Sequence, residues 1–377
     1  MSERTEFSFP TRVVFGPGSA SGVAGLCDEL GIARPLIVTD PGLVKAGIHD
    51  RIVAPLAAAG LAHRVFHDIQ GNPVERNVID ATRAFTEHGA DGVIGLGGGS
   101  ALDVAKAVRL RATHDLPLEE YDEYVEGWKK MHADVPPMIA VATTAGTGSE
   151  VGRAAVITLD VTSRKTVLFG PCLMPNIAIL DAELTVGLPK TLTAWTGMDA
   201  LTHSLEAYLS PTFHPFCDAI ALHGLRLCVE HLPRVYEDGT DIEARGMMLL
   251  ASAMGATAFQ KGLGATHSLA HPLSTLHGIH HGLANAVMLP AVLVFNRDAA
   301  ASRLEDVAHA IGAETSAADS IIALARQLDI PATLGDLGVV EADVAALADA
   351  AIQDGCHLTN PRPVTVDDMQ AMYRATL

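Results

Sequence analysis

Two segments concentrate side chains that bind metals. In the first, Asp199 and His203 stand four residues apart in Gly197-Met-Asp199-Ala-Leu-Thr-His203. On a helix that spacing puts both side chains on one face. In the second, His267, His271, His277, His280 and His281 crowd a stretch that holds no Asp, Glu, Lys or Arg. A lone histidine on an apolar helix is usually a hydrogen-bonded core residue. Five in an uncharged stretch, with an Asp/His pair upstream, are hard to explain as packing. One carboxylate with several imidazoles is a donor set for a divalent metal such as Fe²⁺ or Zn²⁺. Spacing alone leaves open which imidazoles bind.

A second kind of chemistry is written in Gly95-Leu-Gly97-Gly98-Gly99-Ser100-Ala-Leu-Asp103-Val-Ala-Lys106. An apolar strand runs into glycines and then into a helix. Glycines let a ligand approach the backbone, and a helix N-terminus offers free N–H groups, so the segment suits a pyrophosphate. Ser100 and Asp103 have the spacing of a capping box, with Asp in place of Glu. Ser100 also stands where an ordinary dinucleotide fingerprint has its third glycine. The segment Thr143-Thr144-Ala-Gly146-Thr147-Gly148-Ser149-Glu150 suits a ribose or a nicotinamide amide, or is a simple Gly/Thr connector. Asp40 follows the apolar run at residues 35–38. There it can accept from an adenosine ribose and repel a 2′-phosphate, favouring NAD over NADP, or it can act as a turn former before Pro41-Gly42.

The elements that must position these groups change character along the chain. Residues 11–15, 35–38, 64–66, 92–96 and 138–142 read as strands. They alternate with helices at 21–30, 44–59, 75–88 and 100–110, the pattern of a parallel sheet covered by helices. Beyond Asp181, long Ala/Leu/His/Met-rich helical stretches take over, among them 191–209, 243–260 and 281–295. The fold class read from this is an α/β dinucleotide-binding domain, residues 1–184, followed by an all-helical metal-binding domain, residues 185–377. Half of the 377 residues are hydrophobic, enough for a large core, while a net charge of −18 disfavours nucleic acid and anionic membranes. Any anionic ligand must then be held by local backbone dipoles. No apolar run has the length of a membrane span, and MSERTEFSFP lacks the pattern of a secretory signal. Five scattered cysteines without a CxxC argue for free thiols in a reducing cytoplasm.

In this order, the motifs resemble the iron-containing (group III) alcohol dehydrogenase family. The resemblance runs from Phe15-Gly16-Pro17-Gly18 through GGGSALDVAK and TTAGTGSE to the terminal Thr359-Asn-Pro-Arg-Pro-Val-Thr. It implies an N-terminal dinucleotide-binding domain, a C-terminal helical domain and an active site in the cleft between them. By the same resemblance Asp199, His203, His267 and His281 hold Fe²⁺ or Zn²⁺. His271 lies near the nicotinamide as the proton relay. Gly98, Gly99 and Ser100 meet the pyrophosphate of NAD, Asp103 orients the cofactor, and Thr143, Thr144 and Thr147 line its ribose and nicotinamide end. Lys165 matches a cofactor-ribose lysine and Asn72 a cleft residue.

The implied reaction is reversible hydride transfer between NAD(H) and a small primary alcohol or its aldehyde, by a homodimer or larger homo-oligomer. His280, where many members have Pro, and His277 are departures from the family pattern. So is Trp195, one turn before Asp199, where many members have a small residue. Three other readings compete with this one. A lyase resembling dehydroquinate synthase needs a basic pocket that the helical half lacks. A metal-independent reductase resembling maleylacetate reductases is disfavoured by retention of Asp199 and the three histidines. A metal-storage or sensor protein leaves GGGS without a purpose.

Overall fold

The computed structural model describes residue 9, residues 11–161 and residues 164–377, and the statements below concern those residues. Short apolar runs bounded by Gly, Pro and Asp form the strands of the first half. They are β1 (Arg12–Phe15), β2 (Pro35–Val38), β3 (Arg64–Phe66), β4 (Gly92–Gly97), β5 (Met138–Ala142), β6 (Ala154–Leu159), β7 (Arg164–Phe169) and β8 (Ile177–Leu180). Six of them make one parallel sheet in the order β1-β8-β5-β4-β2-β3. Every residue of β2, β4, β5 and β8 is buried. Burial on both faces explains why these strands read as unbroken apolar runs.

Helices α1 (Val23–Glu29), α2 (Pro41–Lys45), α3 (Asp50–Ala58), α4 (Glu75–His88) and α5 (Gly99–Arg111) belong to this half. Two apolar clusters form its core. One unites Leu36, Val38 and Val93 with Leu102 and Val108 of α5. The other unites Ile37, Ile94, Ile139 and Ile179 with Val23, Ile52 and Leu56. The alternating branched residues of each strand thus serve both faces of the sheet. From β2 the chain steps outward to β3, then returns across β2 to β4. The carboxyl ends of β2 and β4 therefore flank a topological switch point, where doubly wound sheets bind ligands.

The expected parallel α/β architecture is present, with two local differences. The single helix read at 44–59 is two helices. Asp40 caps α2 by accepting from the Leu43 N–H, which starts the helix early, and Gly47 at φ 72° ends it. The second difference is an antiparallel hairpin, β6 with β7, beyond the five expected strands. Its signal was the period-two pattern of β6, which buries Ala155, Ile157 and Leu159 in the same cluster as α5.

The second half is helical: α6 (Lys190–Leu209), α7 (Pro215–Glu237), α8 (Ile242–Ala258), α9 (Ala265–His277), α10 (His281–Asn296), α11 (Ala301–Ala310), α12 (Ala317–Gln327), α13 (Val344–Ala351) and α14 (Val366–Arg374). Residues 197–209 of α6 are all buried. A helix enclosed on every side lacks a polar face, so its few ionisable groups need partners inside the protein. By contact density the chain forms two compact units. One runs to Thr144 and resumes over Gly148–Gly187; the other comprises Ala145–Thr147 and Leu188–Leu377. None of the described helices is long and apolar enough to cross a membrane.

Buried Asp181, just after β8, ties the first unit's start to its end. Its carboxylate accepts from the N–H groups of Gly18 (3.0 Å), Ala20 (2.9 Å) and Glu183 (3.1 Å). Asp181→Ala strands these donors, and urea unfolding should show a loss of about 2–4 kcal/mol.

Candidate metal centre and nucleotide-binding loops

In the helical unit, α6 contributes Asp199 and His203 from one face, α9 contributes His267 and His271, and α10 begins with His281. Gly282 lets α10 approach α6, since a Cβ there would lie 2.2 Å from the Trp195 carbonyl oxygen. Asp199, His203, His267 and His281 each turn a donor atom into one cluster, all within 4.8 Å of one another. From Asp199 Oδ1, Nε2 of His281 lies at 3.4 Å, that of His267 at 3.9 Å and that of His203 at 4.0 Å. Asp199, His203 and His267 are almost wholly buried, and His281 is partly so.

The protonation states suit a cation. Burial would raise the Asp199 pKa, but the three imidazoles and the Asn285 amide outweigh it and hold the carboxyl at about 2. Burial pushes His203 down to about 4, against the pull of Asp199. Burial also takes His281 well below the ordinary imidazole value. Ionised Asp199 therefore faces two neutral rings, His203 and His281, while at His267 burial is outweighed by the Glu206 carboxylate, which raises the imidazole pKa. The Asn285 Nδ2 group donates to Asp199 Oδ1 at 2.8 Å and lies 3.3 and 3.2 Å from Nε2 of His267 and His281. The buried Asn285 Oδ1 has no hydrogen-bond partner. Converging buried imidazole nitrogens and one carboxylate charge fit a divalent ion bound by N and O donors.

The remaining histidines separate from this cluster. His271 stacks on His281 with ring centroids 5.1 Å apart, and its Nδ1 donates to Asp354 Oδ2 at 2.7 Å. Asp354 also accepts from the Ser268 hydroxyl and the Cys356 N–H. His277 instead faces Asp343 at 3.9 Å, and His280 lies against Trp195. Three groups escaped the sequence reading: Glu206, Asp354 and Asn285. For Glu206 there was a signal, because it follows Asp199 and His203 at i+7 and i+3 on one helix stripe. For Asp354, far along the chain from His271, there was none.

In the first unit, the loops after β2, β4 and β5 converge. The Thr143 N–H donates to the Gly97 carbonyl at 3.1 Å, and a Cβ on Gly98 would lie 3.0 Å from Thr144 Oγ1. A Cβ on Gly97 would lie 3.6 Å from Asp40 Oδ2. Gly99 opens α5, whose N-terminus no side chain caps, so its amides remain available to an anion. The capping-box expectation at Ser100 and Asp103 fails. Ser100 Oγ donates to the Gly71 carbonyl at 2.6 Å instead, fastening this loop to the turn that carries exposed Asn72.

Asp103 turns inward, accepting from Ser149 Oγ at 2.6 Å and from the Val156 N–H at 3.0 Å. Lys106 donates to the same Ser149 Oγ, and Lys165 on β7 has a lowered pKa, through burial offset by Asp103. Thr147 is exposed and belongs to the helical unit's segment Ala145–Thr147.

Glu150 is the unbalanced member of this interior. It is buried, its Oε1 has no hydrogen-bond partner, and burial raises its pKa to about 7 despite Lys106. Between the ordinary value of 4.5 and 7, the folded chain binds a proton that the unfolded chain has released. Stability therefore falls as pH rises through that window. Glu150→Gln removes this loss. Its stability advantage over the parent should grow by on the order of 2–3 kcal/mol from pH 4.5 to pH 7.5 in denaturant titrations.

Comparison with known proteins agrees with this geometry. Residues 10–182 match the model of the iron-containing alcohol dehydrogenases, and residues 193–377 match the C-terminal model of the same family. The 4-hydroxybutyrate dehydrogenase of Cupriavidus necator is 41% identical over 372 residues, covering 96% of each chain. The NAD-dependent methanol dehydrogenase of Bacillus methanolicus is 35% identical, covering 99% of this chain and all of that one. The crystal structure of a 1,3-propanediol oxidoreductase superposes with a TM-score of 0.95 at 36% identity, each chain covered in full. The chain belongs to the iron-containing alcohol dehydrogenase family, NAD-dependent, metal-binding enzymes that interconvert alcohols and aldehydes.

Proposed function

We propose that this protein interconverts a short primary alcohol and its aldehyde, with Asp199, His203, His267 and His281 as ligands of one Fe²⁺ or Zn²⁺. Residues 1–184 bind NAD in this reading, and residues 185–377 hold the metal. The carrying observation is the convergence of four donor atoms within 4.8 Å, with Asp199 ionised and His203 and His281 held neutral. The relatives named for 4-hydroxybutyrate, methanol and 1,3-propanediol support a small ω-hydroxy or unbranched substrate. Free cysteines, three of them buried, support a reducing cytoplasm. Assembly into a homodimer or larger oligomer follows from the family resemblance, and sedimentation velocity tests it.

A divalent ion at this centre supplies Lewis acidity, which eases loss of the hydroxyl proton in one direction and polarises the carbonyl in the other. NAD supplies the hydride acceptor. The chain supplies alignment and proton handling. His271 Nδ1 is committed to Asp354, so Nε2 is the atom free to take the hydroxyl proton. The His271 side chain is about a third exposed (35%), so the same nitrogen can pass the proton to water. Oxidation then balances as one hydride to NAD⁺ and one proton to His271 Nε2.

On the nucleotide side, Gly98, Gly99 and Ser100 receive the pyrophosphate at the uncapped start of α5. Thr143, Thr144 and Thr147 meet the ribose and nicotinamide end, and Lys165 and Asn72 complete the set. Asp103 acts on the cofactor through Ser149 and β6, since both its oxygens are already used. Asp40 keeps Oδ1 for the Leu43 N–H, which leaves Oδ2 for a ribose hydroxyl.

Three measurements test these assignments. His267→Ala and Asp199→Asn should lose bound metal, read by elemental analysis, together with activity. His271→Ala should keep the metal and lower turnover roughly 10²–10⁴-fold; metal loss in this variant contradicts the relay role. Asp40→Asn preserves the α2 cap and removes the charge, so the NADPH-to-NADH ratio of kcat/KM should rise on the order of tenfold.

A further inference from the structure

The helical unit carries a second buried carboxylate beside the metal centre. Glu206 lies on α6, 4% exposed, on the same stripe as Asp199 and His203. Its Oε2 accepts from His267 Nδ1 at 2.7 Å and from the Gly264 N–H at 3.0 Å. Its Oε1 accepts from the Thr266 N–H at 2.6 Å. These donors, with a longer contact from the His267 N–H at 3.4 Å, belong to the start of α9, where the helix dipole favours an anion. Among the described residues no Lys or Arg forms an ion pair with it; its one ionic contact is His267. The approach is close: a Cβ on Gly264 would lie 2.7 Å from Glu206 Oε1.

We propose that Glu206 is a positioning residue of the metal centre. It fixes His267 with its proton on Nδ1 and its lone pair on Nε2, and it supplies the second buried negative charge that balances a divalent ion. This inference rests on His267 being a ligand. The tautomer follows from the hydrogen bond, since a carboxylate accepts only and must face a protonated nitrogen. Nε2, the atom on the Asp199 side of the ring, is then obliged to be the donor atom. The charge follows from counting. A dication with ionised Asp199 and three neutral imidazoles leaves one uncompensated positive charge, and Glu206 cancels it. A buried site with zero net charge avoids the solvation cost that an unbalanced one carries.

The test is metal affinity, read by competition with a chromophoric chelator using Zn²⁺ and Co²⁺, beside the ligand-field absorption of the Co²⁺ protein. Glu206→Gln should bind both ions roughly 10–100-fold more weakly. Its Co²⁺ bands should shift, and its melting temperature should fall more in the loaded than in the metal-free protein. Glu206→Asp, which keeps the charge, should recover part of the affinity. Unchanged affinity and spectrum in Glu206→Gln overturn the proposal, as does an equal fall in both melting temperatures at unchanged affinity. If Glu206→Gln does not fold, Gly264→Ala displaces the carboxylate by crowding, and parental affinity in that variant overturns the proposal equally. His267→Ala separates the two levels. Loss of metal there with normal binding in Glu206→Gln removes only the role of Glu206. Normal binding in His267→Ala removes the ligand assignment and this inference with it.

Discussion

The helical unit is organised around one electrostatic problem: a carboxylate that stays ionised in the middle of a buried helix. Asp199 is 3% exposed, and three imidazole nitrogens stand 3.4–4.0 Å from its Oδ1. Left alone, such a charge costs several kcal/mol and drives the group to protonate. Here the reverse holds, because three rings and an amide face it. The geometry needs α6, α9 and α10 in fixed register, and that requirement accounts for Gly282 beneath Trp195 and for the continuous burial of α6.

The same logic extends outward from the four donors. His267 is held by Glu206, and His271 by Asp354, each through Nδ1 at 2.7 Å. Two histidines one helical turn apart on α9 thus have carboxylate partners from different parts of the chain, α6 and the segment after α13. Under the proposed function, the first partner fits its ring to bind a cation and the second fits its ring to move a proton. Identical side chains acquire separate tasks from their second neighbours rather than from their own positions.

If the α/β unit receives the nucleotide as proposed, it faces a different problem, that of holding an anion on a chain of net charge −18. What it offers for this is backbone. Loops from three strand ends converge at the switch point of the sheet, and the start of α5 is left without a side-chain cap. Ser100 anchors the loop by donating to Gly71, which leaves the amides of that turn free to serve a ligand. Asp103, Lys106 and Ser149 lie behind it as a buried polar network joining α5 to the β6–β7 hairpin.

The amino-acid sequence alone determined the parallel α/β half, the helical half, a glycine-rich turn between a strand and a helix, and a pool of candidate metal donors, one Asp with several histidines. Each of these rests on spacing within a short segment: strand-length apolar runs, glycines before a helix, and ligands one turn apart. Spacing of that kind is legible because local backbone geometry converts it directly into a shared face. The period-two pattern of the β6–β7 hairpin is equally local. Only the tertiary structure decided which of five neighbouring histidines converge on Asp199, why His277 and His280 do not, and which carboxylates stand behind His267 and His271. It also decided that Ser100 reaches back to Gly71 and that Asp103 faces inward. These are contacts between residues tens of positions apart. Their partners are chosen by helix packing and burial, and no short window of sequence contains both ends of such a pair.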